Sequence, residues 1–231
     1  MGVPAFKIGS GECNNYPLIE HIARKGKPII LSTGMNDIDS VRPAVEIIQA
    51  LHAPLALMHC TSMYPTPYDK VRLGAMSELS KAFPDLPVGL SDHSLNIWTC
   101  LGAVALGATI LEKHVTCSRD GPGPDIGISI EPDELARLIE GSRAIALARG
   151  GRKTILDEEM PVANFAYASV VSVGLIKAGE KLSLDNIWVK RPGTGPYAAN
   201  RLDYVLGRIA ARDIREGMQI TPEDIVETPA P

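Results

Sequence analysis

The stretch VGLSDHS (residues 88–94) sets Ser91, Asp92 and His93 straight after an apolar run, and ATILEKHVT (108–116) repeats the arrangement with Glu112, Lys113 and His114. Both runs read as buried strands that end in chemistry-bearing side chains. Three more strand-like runs have the same form: AFKIGS (5–10), PIILST (28–33) and PLALMHC (54–60). All five are apolar at odd and even positions alike, as strands covered on both faces are. Helical patterns lie between them. In 40–51, Val41, Ala44, Val45, Ile48 and Leu51 share a face behind Asp39 or Ser40 as cap; in 131–148, Leu135, Leu138, Ile139 and Ile145 form a stripe behind Pro132. Strand alternating with helix implies a parallel sheet with right-handed crossovers.

The polar residues fall at the same end of every unit. Lys7, Ser10 and Glu12 end the first, Ser32 the second, His59 to Tyr64 follow the third, and the two histidine stretches end the fourth and fifth. An open doubly wound sheet concentrates chemistry at its switch point. Five consecutive units loaded at one end favour a (β/α)₈ barrel, whose strand ends converge on one working rim. A full barrel takes about 250 residues, so the expected fold is α/β: a partial TIM barrel over 1–150 holding the last five βα units, with three earlier units missing. A polar linker follows over 151–167, then a small β-rich domain over 168–231. Within that domain a twelve-residue motif occurs twice, IKAGEKLSLDNI (176–187) and IREGMQITPEDI (214–225). Gly179 and Gly217 suit tight turns, and Ser183 and Thr221 suit caps of a single helical turn.

A net charge of −4 at pH 7 leaves no basic footprint for nucleic acid. The apolar stretches are too short or too interrupted to span a membrane. MGVPAFKIGSGE has no apolar signal core, and Phe6 stands where a myristoylation site wants Ser or Thr. Cys13, Cys60, Cys100 and Cys117 form no C-x-x-C pair and read as reduced, mostly buried thiols of a cytoplasmic protein.

His93 and His114 lie 21 residues apart on neighbouring strands, and such strands run about 4.8 Å apart. Two imidazoles there can grip one divalent ion and leave positions open for water and substrate oxygen. They serve equally as an acid/base pair or as ordinary strand-end residues, and spacing alone leaves these open. No third and fourth ligand stands at the spacing of a structural zinc site. Lys7, Ser10, Ser32, Thr33 and Ser91 supply a cation and hydroxyls that suit a phosphate or carboxylate. Tyr64 either lines a pocket or packs. His59 reads as a satisfied core histidine. Asp125, in the loop after the fifth strand, is placed to accept from a sugar hydroxyl, or simply belongs to a turn. KRPGTGPY (190–197) is a surface loop or a lid. Asp92 has no evident task, although orienting a histidine from behind is one.

KIGSGECNNYPLI, KPIILSTGM, HCTSMYPTPYDKVRLGAM, GLSDHS, LEKHVT and GPGPDI, in this order over nearly the whole chain, resemble the sialic acid synthase family. The repeat-bearing tail with NIWVKRPGTG resembles that family's antifreeze-like (β-clip, or SAF) domain. The resemblance implies condensation of phosphoenolpyruvate with N-acetylmannosamine or its 6-phosphate, giving N-acetylneuraminate and phosphate. Sibling activities are pseudaminic and legionaminic acid synthesis; the alternative class is an inactive fragment that only binds a carbohydrate or a partner. It also implies Mn2+ or Mg2+ on His93 and His114, and phosphoenolpyruvate on Lys7, Ser10, Ser32, Tyr64 and Ser91. Glu12 and Asp125 would face the sugar and the bound water. Arg191 would reach the partner's site in a domain-swapped homodimer. Ser62 stands where the family often has Asn, and Ser94 where Thr is common.

Overall fold

The computed structural model describes residues 2–226 and divides into two compact units between Gly151 and Arg152. In the first, strands β1 (Phe6–Ile8), β2 (Ile29–Ser32), β3 (Leu55–Cys60), β4 (Val88–Asp92) and β5 (Leu111–Lys113) form one all-parallel sheet in sequential order. Helices α1 (Tyr16–Ala23), α2 (Ile38–Ala50), α3 (Tyr68–Val71), α4 (Leu73–Ala82) and α5 (Trp98–Ala105) make the crossovers, and α6 (Pro132–Ala148) follows β5. The strands are shorter than the apolar runs that announce them.

The register explains how one unit carries both a core and a site. Ile8 pairs with Leu31, Leu31 with Leu57, Leu57 with Val88 and Leu90 with Leu111. These rows pack against Ile19, Val41, Ala44, Ile48, Leu79, Cys100 and Leu138 of the helices. Side chains alternate across a strand, so the residues between them point the other way. Cys60 pairs with Ser91 and Ser91 with Glu112, giving one polar row on the opposite face.

The start of α2 corrects the sequence reading. Its cap is Asp37, not Asp39 or Ser40. The Asp37 carboxylate accepts from the Ser40 amide at 2.9 Å, while Ser40 Oγ accepts from the Asp37 amide at 3.0 Å. Ser40 is the inner half of a capping box, which moves the helix start two residues earlier. In α6 the apolar stripe is only partly used. Leu138 is buried, whereas Leu135 and Ile139 border an open groove of about 470 Å³ beside Leu111.

In the second unit, α7 (Met160–Ala166) lies within the stretch read as a linker, and β6 (Ser169–Ser172) pairs antiparallel with β7 (Ile187–Lys190). A short helix α8 (Leu202–Val205) follows. Regular strand is sparse, and most pairing runs through isolated bridges. The two motif copies meet at their first residues, where Ile176 and Ile214 exchange both amide–carbonyl bonds. From there the bonds match copy for copy. Gly179 donates to Ala210 O and Gly217 to Ser172 O; Leu182 donates to Arg208 O and Ile220 to Val170 O. Asn186 Oδ1 accepts from the Ser183 amide as Asp224 Oδ2 accepts from the Thr221 amide. The copies are therefore halves of one pseudo-twofold unit. Ile176, Leu182, Ile187, Ile214, Ile220 and Ile225 supply its core, and Gly179 and Gly217 make its turns at φ 87° and 79°.

Candidate functional site

The polar row opens into a cleft of about 350 Å³ at the C-terminal ends of the strands. Lys7, Ser10, Ser32, Ser62, Tyr64, Ser91, His93 and His114 line it, together with Cys60 and Glu112. The register sets Ser91 opposite Glu112, and two residues further along both chains His93 comes beside His114, with ring centroids 5.3 Å apart. Tyr64 covers the pair. Its ring lies 4.0 Å from that of His93 and edge-on to His114 at 6.1 Å.

His93 is held from behind. Its Nδ1 lies 3.0 Å from Thr61 O, the geometry of an N–H donating to a carbonyl, which leaves the Nε2 lone pair for a ligand. Cys60 Sγ stands 3.8 Å from the same nitrogen. Burial pushes the Cys60 thiol up and the His93 imidazole down, but their mutual contact outweighs it, helped by the Ser10 and Ser91 hydroxyls at Cys60 and by the Thr61 carbonyl at His93, so the thiol sits below and the imidazole above its ordinary value. His114 Nδ1 faces Asp125 Oδ2 at 3.7 Å. Among the described residues no three His, Cys, Asp or Glu side chains gather into a metal cage. Two converging imidazoles, one with its ligating nitrogen free, do fit a cation whose remaining positions belong to water and substrate.

The anion-binding inventory is cross-linked. Lys7 Nζ donates to Ser32 Oγ at 2.8 Å and lies 3.4 Å from Glu112 Oε1, which also accepts from Ser91 Oγ at 2.7 Å. A cation and two hydroxyls thus converge where Glu112 supplies the negative charge. Ser10 Oγ accepts from the Gly34 amide at 2.9 Å. A Cβ at Gly34 would lie 2.5 Å from Ser62 Oγ and 2.8 Å from Ser10 Oγ, so a larger residue there would push both hydroxyls out of place.

Glu12 is not among the residues lining the cleft. It ends the 3₁₀ turn Ser10–Glu12 and accepts from Asn15 Nδ2 at 2.7 Å. Asp125 is not among the residues lining the cleft and faces it at His114, and Arg191 belongs to the second unit, just after β7. Of the titratable residues lining the cleft, Glu112 and Cys60 are absent from the sequence-derived set. Alternation was the signal for both: Glu112 lies two residues before His114, and Cys60 next to the outward His59. His59 is indeed satisfied and buried, its Nε2 2.8 Å from Val71 O. Cys13, Cys60 and Cys100 are buried free thiols and Cys117 is exposed. No helix of the described residues is long and apolar enough to cross a membrane.

A family model described as NeuB family matches residues 1–154. The chain belongs to the NeuB family. A SAF domain matches residues 167–226, the pseudo-twofold unit. Human N-acetylneuraminate-9-phosphate synthase is 39% identical over 224 residues, which cover 96% of this chain and 62% of the human protein. N,N'-diacetyllegionaminic acid synthase of Campylobacter jejuni is 40% identical over 220 residues, covering 94% of this chain and 65% of that protein. A solved N-acetylneuraminic acid synthetase from Leptospira borgpetersenii, in complex with citrate, is 37% identical with a TM-score of 0.66, over 70% of this chain and 56% of that one. This NeuB-family chain therefore spans less than two-thirds of the length of several relatives it matches.

Proposed function

We propose that this chain carries the catalytic rim of a nonulosonic acid synthase, which condenses phosphoenolpyruvate with an N-acetylmannosamine-type sugar and water and releases phosphate. The carrying observation is one cleft that faces a histidine pair toward a lysine–serine cluster. His93 and His114 would hold Mn2+ or Mg2+, which when bound supplies Lewis-acid polarisation of the sugar aldehyde. Lys7, Ser10, Ser32, Ser62 and Ser91 would hold phosphoenolpyruvate by its anionic oxygens, with Tyr64 as the wall. Its enol carbon then bonds to the aldehyde carbon, water adds at the neighbouring carbon, and phosphate leaves by C–O cleavage. Glu112, inside the cleft, is better placed than Glu12 to take the proton of that water. An entering phosphate takes over the Lys7 and Ser91 donors that Glu112 engages and frees its carboxylate for this step. Asp125 would orient the sugar beside His114, and Arg191 would serve a second copy in a domain-swapped dimer.

The five-stranded sheet is read here as part of a (β/α)₈ barrel. Its sequential strand order and single loaded end support this. The relatives divide on the sugar at nearly equal identity, 39% for the neuraminate enzyme and 40% for the legionaminate enzyme, so a panel of sugars belongs in the test. The chain is incubated with phosphoenolpyruvate, Mn2+ and each mannosamine-type sugar, alone and mixed with the three preceding βα units of a full-length relative. Phosphate release that needs all three components is expected. No release from any combination overturns the proposal.

A further inference from the structure

Directly behind the histidine pair, on the helix-facing side of the sheet, lies a buried ion pair. Asp92 and Lys113 are register partners on β4 and β5, each one residue before a cleft histidine. Lys113 Nζ is 2.7 Å from Asp92 Oδ2, and their side chains are 3% and 1% exposed. The carboxylate is fully used. Oδ2 also accepts from Thr99 Oγ1 at 2.9 Å and Ser94 Oγ at 3.0 Å, with Cys100 Sγ at 3.6 Å, and Oδ1 accepts from the Ser94 amide at 3.1 Å. Lys113 donates in addition to Ser94 O.

Stability alone does not account for this pair. Removing two charges from water costs several kcal/mol per ion, and apolar replacements of similar volume are often as stable. Apolar neighbours are at hand, since Lys113 borders the groove lined by Val104, Leu111 and Leu138. What an apolar pair lacks is a hold on the backbone. Through Asp92 and Lys113, the amide and the carbonyl of Ser94, the residue after His93, are both tied to the strand that leads into His114. That strand is three residues long. His93 has further anchors in Thr61 O and Tyr64, whereas Asp125 at 3.7 Å is the polar partner of the His114 ring.

We propose that Asp92 and Lys113 are positioning residues, a buried clamp that sets the separation and orientation of the His93 and His114 imidazoles. The functional meaning of the clamp rests on the reading of these histidines as metal ligands. The test is the charge-free variant D92N/K113M, which keeps the side-chain shapes and one of the two acceptor oxygens at position 92, enough for the Ser94 amide or for Thr99. Two quantities are read: Mn2+ affinity by electron paramagnetic resonance, and the imidazole NMR signals of His93 and His114 in metal-free protein, assigned with H93A and H114A. The clamp predicts a cooperatively melting variant whose Mn2+ affinity falls on the order of 10- to 100-fold, with both ring signals shifted or split. A merely structural pair would lower Tm alone. Affinity within about twofold of the parent, with both ring signals unmoved, overturns the proposal. If the parent binds no Mn2+, the ligand reading fails by itself, and the ring signals still decide the clamp. If the double variant does not fold, T99V decides in its place. It removes one donor to Asp92 without changing charge, and unmoved ring signals there overturn the clamp.

Discussion

His93 is fixed on two sides, by the Thr61 carbonyl at Nδ1 and by the Tyr64 ring at 4.0 Å. Its free nitrogen can therefore point one way only. H93A and H114A should each abolish tight Mn2+ binding while leaving the fold intact, because both residues sit at strand ends outside the hydrophobic rows; titration calorimetry checks this. Gly34 gives a second prediction at this scale. A methyl group there meets Ser62 and Ser10 below 3.0 Å and the Cys60 carbonyl at 3.2 Å. G34A should cost about 1–3 kcal/mol, as overpacking does, and weaken phosphoenolpyruvate binding because both serines must move. Urea melts and a binding titration read the two effects. Lys7, Ser32, Ser91, His93 and His114 were legible because strand alternation assigns their faces. Glu12 was not, because a 3₁₀ turn separates it from β1 and a two-residue period no longer applies there. Glu112 was hidden by its neighbours: in LEKH, three consecutive polar residues all look chemical, and the register confirms what alternation implies, that Lys113 turns away from Glu112 and His114.

Among the elements, the twin motifs of the SAF domain offer an internal control. Asn186 caps its turn with a neutral amide, and Asp224 caps the equivalent turn with a carboxylate. Burial pushes the Asp224 carboxyl up, but Arg212, at 2.7 Å, and the amide and hydroxyl of Thr221 more than offset this and hold it below the usual value. A carboxyl lowered in the folded state contributes stability that is fully present above its unfolded pKa of about 3.9. That stability is lost as pH falls through the lower folded value. D224N should therefore melt slightly below the parent at pH 7, where it lacks the charged partner of Arg212. Below about pH 4 the difference should close. Thermal melts across this range check it, and a constant gap at all pH values would exclude Asp224 as the source. The repeat itself was visible in the sequence. That its halves bond to one another was not, since the pairing runs through isolated bridges that leave no strand-length apolar run.

For the molecule as a whole, the sheet order settles what alternation only suggested: each strand lies beside its sequence neighbours, so β1 and β5 are the edges. Parallel sheets are ordinarily covered, and exposed edges invite pairing with another chain. Val115 bridges to Ile130 just past β5, but within Leu111–Lys113 the outer edge has no strand against it among the described residues. Beside it the groove of about 470 Å³ is walled by Leu111, Leu135, Leu138 and Ile139, and Ser142 Oγ is buried there with no hydrogen-bond partner among the described residues. Burying an unpaired hydroxyl costs about 1–3 kcal/mol, and a surface seated on this groove that offered a hydrogen bond would offset that cost. Expressed alone, the chain should self-associate. Supplying three further βα units, fused or in trans, should yield a single species with a higher Tm. Light scattering after gel filtration distinguishes the cases. A monodisperse, cooperatively melting monomer of the chain alone, with no gain on adding those units, would show that the open edge is already the finished form of the sheet.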